Sequence, residues 1–142
     1  MRRTSLHATL LIAAMLCVLI QPRAVAHHSI SAVYDSSKRV TIEGVVSQWR
    51  FVNPHPYLTV DVVDSGRAQP YHLELDNRGE LAAVGMTAET LRPGDRLVVT
   101  GSQSRTEPRN LYVRKLVRPA DGFEYEQVGA SPVVRKGRTQ GG

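Results

Sequence analysis

Residues 40–51 read VTIEGVVSQWRF, and the fold turns on what this stretch becomes. Branched apolar and polar side chains alternate along it, the period expected of a half-buried strand. Gly44 interrupts the run, and a glycine within a long strand often permits a sharp bend or bulge. A long first strand bent at Gly44 can enter both halves of one curved sheet.

The same period continues downstream. YLTVDVVD (57–64) places Leu58, Val60 and Val62 on one face, and Asp64-Ser65-Gly66 makes a turn. PYHLELD (70–76) places Tyr71, Leu73 and Leu75 on one face and His72, Glu74 and Asp76 on the other. Residues 77–91 lose this period, and Leu81-Ala82-Ala83-Val84 predicts one or two helical turns. Arg92-Pro93-Gly94-Asp95 is a turn signal before RLVVTGS (96–102), and LYVRKLV (111–117) supplies a fifth strand. Three strands, a short helix and two more strands fit a mainly β fold: a small, five-stranded Greek-key barrel of the OB type. A plain β-sandwich has the same strand count and stays open at this point.

Outward from the strands, residues 1–26 predict a cleavable signal helix. Arg2 and Arg3 open it, Ala8 to Ile20 form an uncharged apolar run, and Ala24-Val25-Ala26 offers a small-x-small cleavage site. The apolar run is short of the roughly 20 residues that span a bilayer, so no stable membrane anchor is expected after cleavage. Residues 27–39 read as an N-terminal extension, 40–122 as the OB-like domain and 123–142 as a C-terminal tail, disordered at its end. Cys17, the one cysteine, falls within the signal, which leaves no thiol chemistry for the mature chain. The formal charge of +5 includes Arg2, Arg3 and Arg23; without them 15 basic residues face 13 acidic ones. A balance of about +2 on those counts and the expected export argue against nucleic acid as a partner.

Several short stretches carry a resemblance. These are AHHS at the cleavage point, Tyr34-Asp35, VTIEGVV (40–46), NPHPYLTVDV (53–62), LEL (73–75), LRPGDRLVVTG (91–101) and Asp121-Gly122. With them the chain from His27 to about Gly122 resembles a family of small secreted bacterial proteins classed as a domain of unknown function. That resemblance implies a periplasmic, barrel-like β domain and brings no activity with it.

Cleavage after Ala26 would expose the α-amine of His27, whose ordinary pKa of about 7.7 to 8.0 leaves it partly neutral near neutral pH. That amine and the ring Nδ1 of His27 can close a six-membered chelate on one metal ion, and a further imidazole would complete three nitrogens. Such a set is similar to the histidine brace of copper proteins and suits Cu(II), with Zn(II) or Ni(II) weaker. His55 in Asn53-Pro54-His55-Pro56 is the first choice for the further ring, because two prolines preset its loop; His28 and His72 are the alternatives. The competing reading makes His27 and His28 a polar start that suits cleavage, His55 a packing residue in a turn capped by Asn53, and His72 with Glu74 a solvated strand face.

Trp49 and Phe51 before that loop and Tyr57 after it, with Asn53, form a candidate ligand or partner surface. No nucleophile motif, phosphate-binding glycine loop or close carboxylate pair is present, so an enzyme is not expected. The leading expectation is a non-enzymatic periplasmic or secreted binding protein with a Cu(II) site at His27 and His55. The alternative is a metal-free module for a small ligand or a periplasmic protein, with structural histidines.

Overall fold

The computed structural model describes residues 30–137. The predicted signal, together with His27 and His28, lies outside the described residues. A short helical turn, α1 (Ile30–Val33), leads into β1 (Tyr34–Arg50), then β2 (Tyr57–Asp64) and β3 (Arg67–Glu74). Helix α2 (Arg78–Ala83) separates these from β4 (Arg96–Ser104) and β5 (Asn110–Arg118), and β6 (Phe123–Val128) and β7 (Ser131–Arg135) follow. The protein is mainly β, with seven strands in one sheet of order β3-β2-β1-β4-β5-β6-β7.

The long first strand does join two halves. Its N-terminal part pairs antiparallel with β4 from Tyr34 to Val45, and its C-terminal part pairs with β2 from Val45 to Arg50. Gly44 lies at that handover. A Cβ there would stand 2.5 Å from the Asp61 carbonyl oxygen and 2.7 Å from Val60 Cγ1, so the glycine lets β2 press against β1. The register shifts lie elsewhere, between Val46 and Gln48 against β2 and between Asp35 and Arg39 against β4. The bulge expected at Gly44 is thus found on either side of it instead, and the glycine itself serves close packing.

Closure comes from β3 and β5, which meet in parallel over three residue pairs: His72 with Asn110, Leu73 with Leu111, and Glu74 with Tyr112. This seam turns β1, β2, β3, β5 and β4 into a ring. Inside it, Leu58 and Val60, Leu73 and Leu75, Leu97 and Val99, and Leu111 and Val113 are buried at alternate positions, and in β5 Tyr112 is buried between them on the other face. Each such side chain contributes roughly 1.5 to 3 kcal/mol when removed from water. Helix α2 plugs the ring with Leu81, followed by Met86 and Leu91, and its first turn is capped by Asn77, whose Oδ1 accepts the Glu80 N–H at 2.9 Å.

Two sequence expectations need correction. The sheet has seven strands rather than five, because residues 123–135, read as tail, form the hairpin β6–β7 on the edge of β5. The signal was present: Phe123 and Tyr125 alternate with Glu124 and Glu126, and both aromatic rings are buried. In addition β1 begins at Tyr34, inside the stretch read as an extension, and pairs there with Ser104. Among the described residues no helix is long and apolar enough to cross a membrane.

Candidate functional site

The loop between β1 and β2 carries His55, and the chain pins that loop by backbone bonds. The Leu75 N–H donates to the Pro56 carbonyl at 3.1 Å and the Arg78 N–H to the Pro54 carbonyl at 2.9 Å. The Asn53–Pro54 peptide is cis. Held this way, the half-buried His55 ring places Nδ1 3.0 Å from the Leu75 carbonyl oxygen and 3.5 Å from Glu74 Oε1. A carbonyl can only accept, so Nδ1 carries a proton, and in the neutral ring the lone pair is on Nε2. Metal-binding imidazoles are commonly held in this way, with the second nitrogen donating to a carbonyl or carboxylate.

Glu74 ends β3 at the seam, directly opposite Tyr112 of β5. Its other oxygen, Oε2, accepts the Tyr34 hydroxyl at 2.7 Å, and the Tyr34 ring leans on that of Tyr112 with centroids 5.7 Å apart. Arg114 lies over the other ring of this pair, 4.8 Å from the Tyr112 centroid, while its Nε donates to Ser102 Oγ at 3.0 Å. Burial pushes the Tyr34 phenol well above its ordinary range, and the hydrogen bond to Glu74 adds to the shift, so the hydroxyl stays a donor. Burial likewise raises Tyr112 and Tyr125.

The segment before Tyr34 is anchored as well. Arg105 in the β4–β5 loop donates its backbone N–H to the Val33 carbonyl at 2.9 Å, its Nε to the Ser31 carbonyl at 3.3 Å and its Nη1 to Asp35 at 3.4 Å. The Tyr34 side chain, at the start of β1, and the His55 loop meet on one carboxylate, Glu74. Sequence reading placed Glu74 only as a neighbour of His72, and it missed Tyr34 and Arg105. A tyrosine forty positions from its acceptor leaves no periodic signal.

The other predicted residues separate onto different surfaces. His72 is exposed on β3; the Glu74 carboxylate turns instead to Tyr34 and His55. Trp49 is half-buried, donates Nε1 to the Thr87 carbonyl at 3.1 Å and tilts against Phe51, which itself lies under Arg78. Those two aromatics thus pin α2 and the segment after it to the ring. Tyr57 is on the outer face at 47% exposure, and Asn53 is exposed. Among the described residues no three His, Cys, Asp or Glu side chains converge as a ready-made metal cluster.

These features define a mainly β protein with a part-buried, oriented imidazole where its strand ring closes. The chain belongs to a family of unknown function, DUF6152, whose model matches residues 14–111. This bears out the resemblance to an uncharacterised family. No curated protein matches the chain. Among solved structures it is similar to Rim1, the mitochondrial single-stranded DNA binding protein from S. cerevisiae, with 13% identity and a TM-score of 0.43; the match covers 56% of this chain and 90% of that one.

Proposed function

We propose that this is an exported, non-enzymatic copper-binding protein of the OB type, with Cu(II) held between His55 and the N-terminal His27 left by cleavage after Ala26. The ring order β1-β2-β3-β5-β4, with α2 between β3 and β4, supports the OB reading. The signal-like residues 1–26 support export.

The observation that carries the metal site is the shared carboxylate: Glu74 accepts from Tyr34 at 2.7 Å and lies 3.5 Å from His55 Nδ1. His27 is separated from the anchored turn at Ile30 by only two residues, a reach of about 11 Å at most. In this reading His27 supplies its amine and Nδ1, His55 supplies Nε2, and His28 is the spare ring. His72 is not a ligand in it, because it shares its part of the outer face with the cationic Arg50. Amine and imidazole nitrogens favour Cu(II) over the other divalent ions of the first row.

The test is a competition titration of Cu(II) into protein that begins at His27. One extra residue before His27 removes the primary amine from the chelate, and His55→Ala removes the second arm. Each change removes a ligand nitrogen and is expected to weaken binding by at least about a hundredfold, the outer end of what loss of a mere supporting group costs at such sites. Equal affinity with the amine blocked would sink the His27 site, and equal affinity in His55→Ala would remove His55 from it. Mass analysis of the exported protein, with His27 expected as its first residue, tests the processing.

A further inference from the structure

We propose a second binding site on the outer face of β1, β2 and β3, taking a small organic anion: a flat ring that bears an oxyanion such as carboxylate or phosphate. This site is separate from the copper reading and does not rest on it. A shallow groove there is lined by Gln48, Arg50, Val52, Tyr57, Thr59 and His72, with Leu58 and Leu73, whose side chains are buried in the core, beneath it. The register sets the order of its functional groups. Arg50 lies opposite Tyr57, and Gln48 opposite Thr59, which is in turn opposite His72.

Charge is what selects the ligand. Arg96, Arg105, Arg118 and Arg135 each have a carboxylate within 4 Å. Arg50 has no such partner among the described residues, as Arg39, Arg67 and Arg92 have none, but of these it is Arg50 that lines the groove, and no hydrogen bond of its guanidinium or of the His72 ring is found among the described residues. Glu74 is next to Tyr57 in register, yet its carboxylate is turned to Tyr34 and is not part of the groove. The lining consequently holds a free guanidinium fork and an imidazole with no acid between them. A guanidinium matches the two oxygens of a carboxylate or phosphate, and the exposed Tyr57 ring gives the ligand's flat body a surface. Thr59 and Gln48 add a hydroxyl and an amide for polar substituents.

Phenyl phosphate is the probe, titrated into purified protein at low salt and followed by amide NMR. Saturable shifts are expected at Arg50, Tyr57, Thr59 and His72. Arg50→Gln and Tyr57→Ala are each expected to weaken binding by about tenfold, the scale of one charge-assisted or stacking contact, while Arg96→Gln on the neighbouring outer surface leaves it unchanged. All three side chains are exposed, and circular dichroism verifies that each variant is folded; if Arg50→Gln fails to fold, Arg50→Lys, which keeps the charge and loses the fork, takes its place with the same expected weakening. Shifts that do not saturate overturn the proposal, as does undiminished binding in the Arg50 variant. Inorganic phosphate binding as tightly as phenyl phosphate overturns the ring seat, and shifts centred on His55 instead of the groove overturn its location.

Discussion

Two partly buried polar clusters in this protein are built on opposite plans. At the end of β5, Arg118 donates Nη1 to Asp95 at 2.7 Å and to the Thr90 carbonyl at 2.8 Å, while Nε and Nη2 grip Asp121 at 3.0 and 2.8 Å. Asp95 also accepts the Arg92 N–H and Asp121 the Phe123 N–H, and the guanidinium lies 5.2 Å over the Phe123 ring. Its strong groups are matched within the fold, so the cluster fastens the turn before β4 and the start of β6 to β5. Hydrogen bonding to Arg118 holds the Asp121 carboxyl below its usual range. The seam cluster of Tyr34, Glu74, Tyr112 and His55 is also hydrogen-bonded, but among the described residues His55 Nε2 has no partner. A cluster that satisfies itself serves stability; the oriented imidazole of the other is what the copper proposal rests on.

The largest expected effect that separates the two is alkaline. Tyr34 and Tyr112 of the seam, and Tyr125 outside both clusters, have phenols raised chiefly by burial, and no tyrosine belongs to the Arg118 cluster. Unfolded tyrosine titrates near pH 10, so below that pH the contribution is complete; above it the unfolded chain sheds protons that the fold retains, and stability falls. Each phenol adds about 1.4 kcal/mol per pH unit, or about 4 for the three. Urea midpoints at pH 9.5 to 11.5 measure the slope, and Tyr34→Phe should remove about a third of it.

Next in size, Arg118→Met leaves Asp95 without its cation, and a loss of about 2 kcal/mol is expected, discounted from a fully buried pair because Asp121 is half exposed. Copper affinity in that variant should stay at the wild-type value. Glu74→Gln is the reverse case: about tenfold weaker Cu(II) binding by competition titration, with a small change in urea midpoint, because the ligand's support is altered and the core is not. The smallest effect is that of Tyr34→Phe at neutral pH, about 1 kcal/mol for one hydrogen bond. A Glu74→Gln variant that loses stability and keeps its copper would collapse the distinction between the two clusters.

Much of the ring was legible because alternation is local. Leu58 with Val60 and Leu73 with Leu75 point inward as their spacing requires, and Asn77 caps α2 where the period changes. Trp49 shows where that reasoning stops. Its aromatic character left a binding surface and rim packing both open, and its Nε1 bond to the Thr87 carbonyl ties it to the segment after α2. The β6–β7 hairpin was missed for a different reason: glycines and charges near the C-terminus outweighed the short alternation of Phe123 and Tyr125.

By itself the sequence determined five of the seven strand-forming segments, the short helix, the inward faces of β2 and β3, and the chemistry that His27 and His55 could bring. Only the tertiary structure decided that β3 closes on β5, that Tyr34 and His55 share Glu74, and that Arg50 and His72 line one groove away from any free acid. The division has one physical cause. A period of two states which side chains share a face of a strand, whereas pairing and register are settled by the burial of all the strands together.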